Sequence, residues 1–123
     1  GSAISSLDDY RQALAAFDGD PRIQAILEVG HFQRVGISWK AGWDLLGERI
    51  ALIHLNDIRA GESVLYGTGE VDFGGLIRHA KTSGYEGDWV VELELEDRQE
   101  APERTIQGLG QALAMLCELY QEA

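Results

Sequence analysis

Glu28, His54 and Glu92 are the residues of this sequence best placed to do chemistry together. Each stands near the C-terminal end of a short apolar segment: Ala25-Ile26-Leu27-Glu28, Ile50-Ala51-Leu52-Ile53-His54-Leu55 and Trp89-Val90-Val91-Glu92. Two carboxylates and an imidazole form a donor set suited to a divalent ion such as Mn²⁺, Mg²⁺, Co²⁺ or Zn²⁺. A carboxylate in such a place can also carry a proton to or from carbon. Each residue has an ordinary reading too. A single strand histidine is usually a hydrogen-bonded core residue, and a strand glutamate usually faces solvent. Their equivalent positions are what single the three out.

Other candidates carry less. Gly67-Thr68-Gly69 lacks the third glycine and the lysine of a phosphate loop. Glu70 and Asp72 would repel phosphate there, so it reads as a turn. His31 follows the first apolar segment and could touch a ligand or cap a turn. His79 reads as a boundary residue, and Cys117, among Leu113, Leu116 and Tyr120, as a packing residue. No Gly-x-Ser-x-Gly elbow is present.

These positions need elements to hold them. Ser6 can cap a helix carrying Leu7, Tyr10, Ala13, Leu14 and Phe17, stopped by Gly19-Asp20-Pro21. A strand over Arg22–Val29 follows, then a helix capped by Ser38 with Trp39, Trp43 and Leu46 on one face, ended by Gly47. The second strand is Ile50–Leu55. A glycine-rich loop leads to Asp72, which can cap a helix bearing Phe73, Leu76, Ile77 and Ala80. The third strand is Trp89–Leu95. Pro102 precedes a last helix with Ile106, Leu109, Leu113, Leu116 and Tyr120 on its stripe.

Strands alternating with helices predict an α/β fold with parallel strands joined by right-handed crossovers. Period-two alternation puts Glu92 and Glu94 on one face of the third strand and Trp89, Val91, Leu93 and Leu95 on the other. His54 shares a face with Leu52 and Asn56, and Glu28 with Gln24 and Ile26. In parallel α/β folds the C-terminal strand ends are where sites assemble.

Composition narrows the function classes. The 123 residues are 45% hydrophobic and 25% charged, as in an ordinary globular domain. Net charge is −11, an average field that repels a phosphate backbone, so nucleic acid is not an expected partner. The excess is partly local, in Glu92, Glu94, Glu96, Asp97, Glu100 and Glu103, a run that ordinarily forms a solvated loop. No apolar run approaches the ~20 residues of a membrane helix. The single cysteine excludes an internal disulfide, and the cytoplasm is the expected location. Gly1-Ser2 reads as an expression scar, leaving 3–123 as one segment.

Glu28-Val29-Gly30-His31, Ile53-His54-Leu55-Asn56-Asp57, Gly67-Thr68-Gly69-Glu70-Val71-Asp72-Phe73, and Gly84-Tyr85-Glu86-Gly87 with Val91-Glu92 occur in that order. Together they resemble the C-terminal half of the xylose-isomerase-like (β/α)8 barrels, over about residues 5 to 120. That superfamily contains sugar-phosphate isomerases and epimerases, ketose 3-epimerases, hydroxypyruvate isomerase, inosose dehydratase and the endonuclease IV group.

The resemblance implies about half of a TIM barrel and a bound Mn²⁺, Mg²⁺, Co²⁺ or Zn²⁺ held by Glu28, His54 and Glu92. It also makes His31 and Arg59 substrate contacts. Glu28 departs from the family's usual aspartate, its extra methylene displacing the carboxylate by about an ångström. The implied reaction is enediolate proton transfer beside the carbonyl of a small sugar or sugar phosphate, with Glu92 as one of two acid–base groups. The second falls on a strand with no counterpart here, so catalysis by this chain alone is not expected. The competing readings are a non-catalytic α/β self-assembly module and an endonuclease IV-like phosphodiesterase. Half a barrel also leaves a sheet face and two edges uncovered, which predicts a homo-oligomer or a partner supplying the other half.

Overall fold

The computed structural model describes residues 6–17 and 20–123; the Gly1-Ser2 reading and the Gly19 stop signal lie outside them. Helix α1 (Leu7–Ala15) begins where the Ser6 hydroxyl accepts the Asp9 N–H. Strand β1 (Ala25–Glu28) runs directly into α2 (Val29–Arg34), and α3 (Trp39–Leu46) follows, capped by Ser38. Next come β2 (Ile50–Leu55) and a small hairpin of β3 (Ile58–Arg59) and β4 (Glu62–Ser63). Helix α4 (Phe73–Thr82), capped by the Asp72 carboxylate, β5 (Asp88–Val91) and α5 (Pro102–Glu122) complete the order.

β1, β2 and β5 form a parallel sheet in the order β1-β2-β5. The expected α/β architecture of alternating strands and helices is therefore present, as part of a barrel rather than a closed one. Its helix-covered side is the core. Leu27, Ile53 and Leu76 have no exposed surface, and Leu55, Phe32 and Ala80 are almost as deeply buried. On the other side Ile26 is 48% and Val90 37% exposed, the face that a complete barrel would enclose.

Four expectations need correction. The first strand is shorter than Arg22–Val29, because Val29, Gly30 and Phe32 turn into α2 and bury there. The third strand pairs only to Val91, beyond which Leu93 and Leu95 leave the ladder to bury, Leu93 beside Gly108 of α5. Helix α1 ends at Ala15, so Phe17 lies beyond it, half exposed. The buried stripe of α5 is Gly108, Ala112 and Leu116, which leaves Ile106, Leu113, Tyr120 and Cys117 exposed. Cys117 is thus not a core residue. Gly108 lets Leu93 and Leu65 pack directly against the helix, and Ala112 is fully buried. His79 is a boundary residue as expected, its ring edge-on to Trp43 with centroids 5.0 Å apart.

Candidate metal centre

The strand order explains how distant residues meet. β2 is central, and its register sets Glu28 of β1 opposite His54. On the other side Val90 is opposite His54, and Glu92 stands one alternation further up. The Glu92 N–H donates to the Leu55 carbonyl at 2.9 Å, which extends the ladder one rung past β5. Both carboxylates thereby face the imidazole from neighbouring strands.

His54 Nδ1 lies 3.1 Å from Glu28 Oε2, and Nε2 lies 3.2 Å from Glu92 Oε1. The His54 side chain is 21% exposed, and the two carboxylates are about twice as open. A neutral imidazole has one N–H and one lone pair, so it donates to only one of the two carboxylates. A doubly protonated ring donates to both. A cation offers a third solution, since a ring lone pair and carboxylate oxygens are all ligands for it. One donor atom from each of Glu28, His54 and Glu92 lies within 4.8 Å of the other two. Neighbouring ligands of an octahedral ion bound at about 2.1 Å stand roughly 3 Å apart, so either one of the His54 contacts has the right scale for an ion on that nitrogen. The donor types of the three residues suit a divalent ion.

Because the carboxylates address opposite ring nitrogens, one ion takes a single nitrogen. The carboxylate on the other side either swings to the ion or keeps the remaining N–H, the usual support of a metal-bound histidine.

A second polar group adjoins the triad. Asn56, buried, donates from Nδ2 to Glu94 Oε1 (3.1 Å) and accepts at Oδ1 from the Ser63 hydroxyl (2.7 Å). That hydroxyl oxygen in turn accepts the Glu94 N–H at 2.9 Å. Arg34 reaches Glu94 at 3.7 Å and donates to the Gly61 carbonyl. Gly30 packs against Asn56 so closely that an added Cβ would sit 2.8 Å from the Asn56 Cβ.

The structure thus brings Glu28, His54 and Glu92 together. His31 sits in α2, half-buried, with its ring tilted against Phe32. Arg59, on β3, donates to the Thr68 carbonyl and lines a separate cleft of about 830 Å³ with Glu62, Glu96, Asp97, Glu100 and Arg104. Neither belongs to the metal-ligating group.

Two residues that sequence reasoning passed over support the site. Asp57 is completely buried, and its carboxylate accepts the N–H groups of Gly67, Gly69 and Val71. The Gly67-Thr68-Gly69 segment is accordingly a turn whose amides are already used. Gly69 is obligatory there, because a Cβ would overlap the Asp57 carboxylate. Tyr66 places its hydroxyl between the carbonyls of Leu55 and Glu92. Burial raises its phenol above the usual range, and the nearby charges of Asp57 and Glu92 act in the same direction. It therefore stays a hydrogen-bond donor at any ordinary pH. Asp57 stood in the sequence as the last residue of the Ile53-His54-Leu55-Asn56-Asp57 motif, with no role attached to it; Tyr66 had no signal.

The model of the xylose isomerase-like TIM barrel family matches residues 1–119. The chain belongs to that family. A search of curated proteins finds no match. Among the described residues, no helix is long and apolar enough to cross a membrane.

Proposed function

We propose that this chain is the C-terminal part of a divalent-metal-dependent sugar or sugar-phosphate isomerase or epimerase. The observation that carries the reading is the convergence of Glu28, His54 and Glu92 on one centre at the C-terminal end of a parallel sheet. A bound ion would supply Lewis-acid polarisation of a substrate carbonyl. Glu92, partly exposed beside that centre, moves a proton at the neighbouring carbon. Glu28 and His54, with Glu92, would hold the ion. By the family resemblance His31 and Arg59 would contact the substrate's more distant hydroxyl or phosphate groups, Arg59 from the cleft that it lines. Epimerisation needs proton removal and return on opposite faces, and the family pattern puts the second acid on a strand preceding β1.

The acidic balance of the chain favours cation capture at an anionic site and disfavours the nuclease reading. Calorimetric titration with Mn²⁺ tests the proposal: one ion per chain for the parent protein, and binding weakened more than about a hundredfold in His54→Ala. A second reading, a non-catalytic self-assembly module, is favoured by the exposed apolar face around Ile26 and Val90. A parent protein that assembles but binds no Mn²⁺ would support it.

A further inference from the structure

We propose that Tyr66 is a positioning residue for the metal centre, its hydroxyl clamping the ends of β2 and β5 so that His54 and Glu92 face one point. The inference rests on the metal-centre reading above and adds a residue that the ligand pattern does not contain.

The β2–β5 register ends at Leu55 and Val91, and the Glu92 N–H to Leu55 bond is the rung beyond it. Past that rung the chains part. Asn56 and Asp57 lead into the hairpin, while Leu93 turns to pack beside Gly108 of α5. The ladder therefore runs out at the level where His54 and Glu92 have to be held together. Tyr66 Oη lies there, 2.8 Å from the Leu55 carbonyl oxygen and 2.7 Å from that of Glu92. One hydroxyl proton shared between two carbonyls ties the residue after His54 to the main chain of Glu92.

The clamp is itself fixed. The Tyr66 ring stacks on Phe73, with centroids 5.0 Å apart and planes within 7° of parallel. Phe73 is the first residue of α4 and is buried. Next to Tyr66, the Gly67 N–H is held by Asp57, as is that of Gly69. Ring and loop are thus anchored independently of the carbonyls that the hydroxyl holds. Outer partners placed in this way tune metal affinity through the ligands that they orient. Stacking needs only an aromatic ring, whereas the clamp needs the hydroxyl. Tyr66→Phe separates the two.

Two readouts decide the matter: Co²⁺ affinity, and the imidazole ¹⁵N–¹H signals of His54 in metal-free protein at fixed pH, assigned with His54→Ala. In Tyr66→Phe we expect Co²⁺ binding about tenfold weaker and displaced His54 signals. Ile77→Val, a core change under α4, should lower the melting temperature and leave both readouts alone. Unchanged Co²⁺ affinity in Tyr66→Phe overturns the inference. Should the parent protein bind no Co²⁺, the metal-centre reading fails, and the His54 signals then decide alone: displaced signals support the clamp and unchanged signals overturn it.

Discussion

At the scale of single residues, the site depends on groups that use every donor or acceptor they have. His54 offers both ring nitrogens to carboxylates, and Asp57 spends both oxygens on three backbone amides. Asp57→Asn keeps the size but turns one acceptor into a donor facing N–H groups. We expect a loss of about 2–3 kcal/mol, read from urea unfolding, because hydrogen bonds to a buried charge disappear and amides are left unpaired. A loss below about 0.5 kcal/mol would mean that the loop is held by other contacts. Glu28, His54 and Glu92 were legible in the sequence because a strand repeats every two residues, so a polar group on an apolar strand advertises its face. The roles of Asp57 and Tyr66 were not legible. Their partners are main-chain atoms ten or more residues away, and no residue pattern encodes those.

At the scale of elements, a helix or strand that is capped or apolar throughout is legible in the sequence. Ser38, Asp72 and the run Ile50–Leu55 stand where they were expected. Short pieces are not. α2 has six residues and no side-chain cap, too few for a helical period to separate it from the strand before it. The β3–β4 hairpin has two-residue strands and turns through Ala60 and Gly61, at φ of 50° and 81°. Two successive positive φ angles are the mark of a type I′ turn, which Asn-Gly signals far better than Ala-Gly. Ala60→Asn is accordingly expected to stabilise the protein by about 0.5–1 kcal/mol, seen as a higher melting temperature. The Ala60 N–H, bonded to Glu70, is retained in that variant. A lower melting temperature would show that the turn conformation is not what limits the hairpin.

At the scale of the whole molecule, the sheet is finished on one side only. Ile26 and Val90 stand open on the barrel-facing side, and among the described residues β1 and β5 are the outer strands. Beside β5, Leu113, Cys117 and Tyr120 line an apolar groove of about 400 Å³ with Trp89 and Val91. Exposed parallel edges next to apolar surface favour pairing with another chain. We expect light scattering to report at least two chains of 13.5 kDa per particle, and Val90→Lys to shift the population to monomer. A monodisperse single chain at high concentration would contradict this. The alternation of strands and helices made the α/β class legible from sequence. How much of the sheet lies open depends on packing, which the alternation does not encode.

The central claim is that Glu28, His54 and Glu92 form one metal-binding centre. Its most direct test is a calorimetric Mn²⁺ titration of the parent protein and of His54→Ala. The account predicts one ion per chain in the parent and binding at least about a hundredfold weaker in the variant. Equal binding by both proteins, or none by the parent, would contradict it.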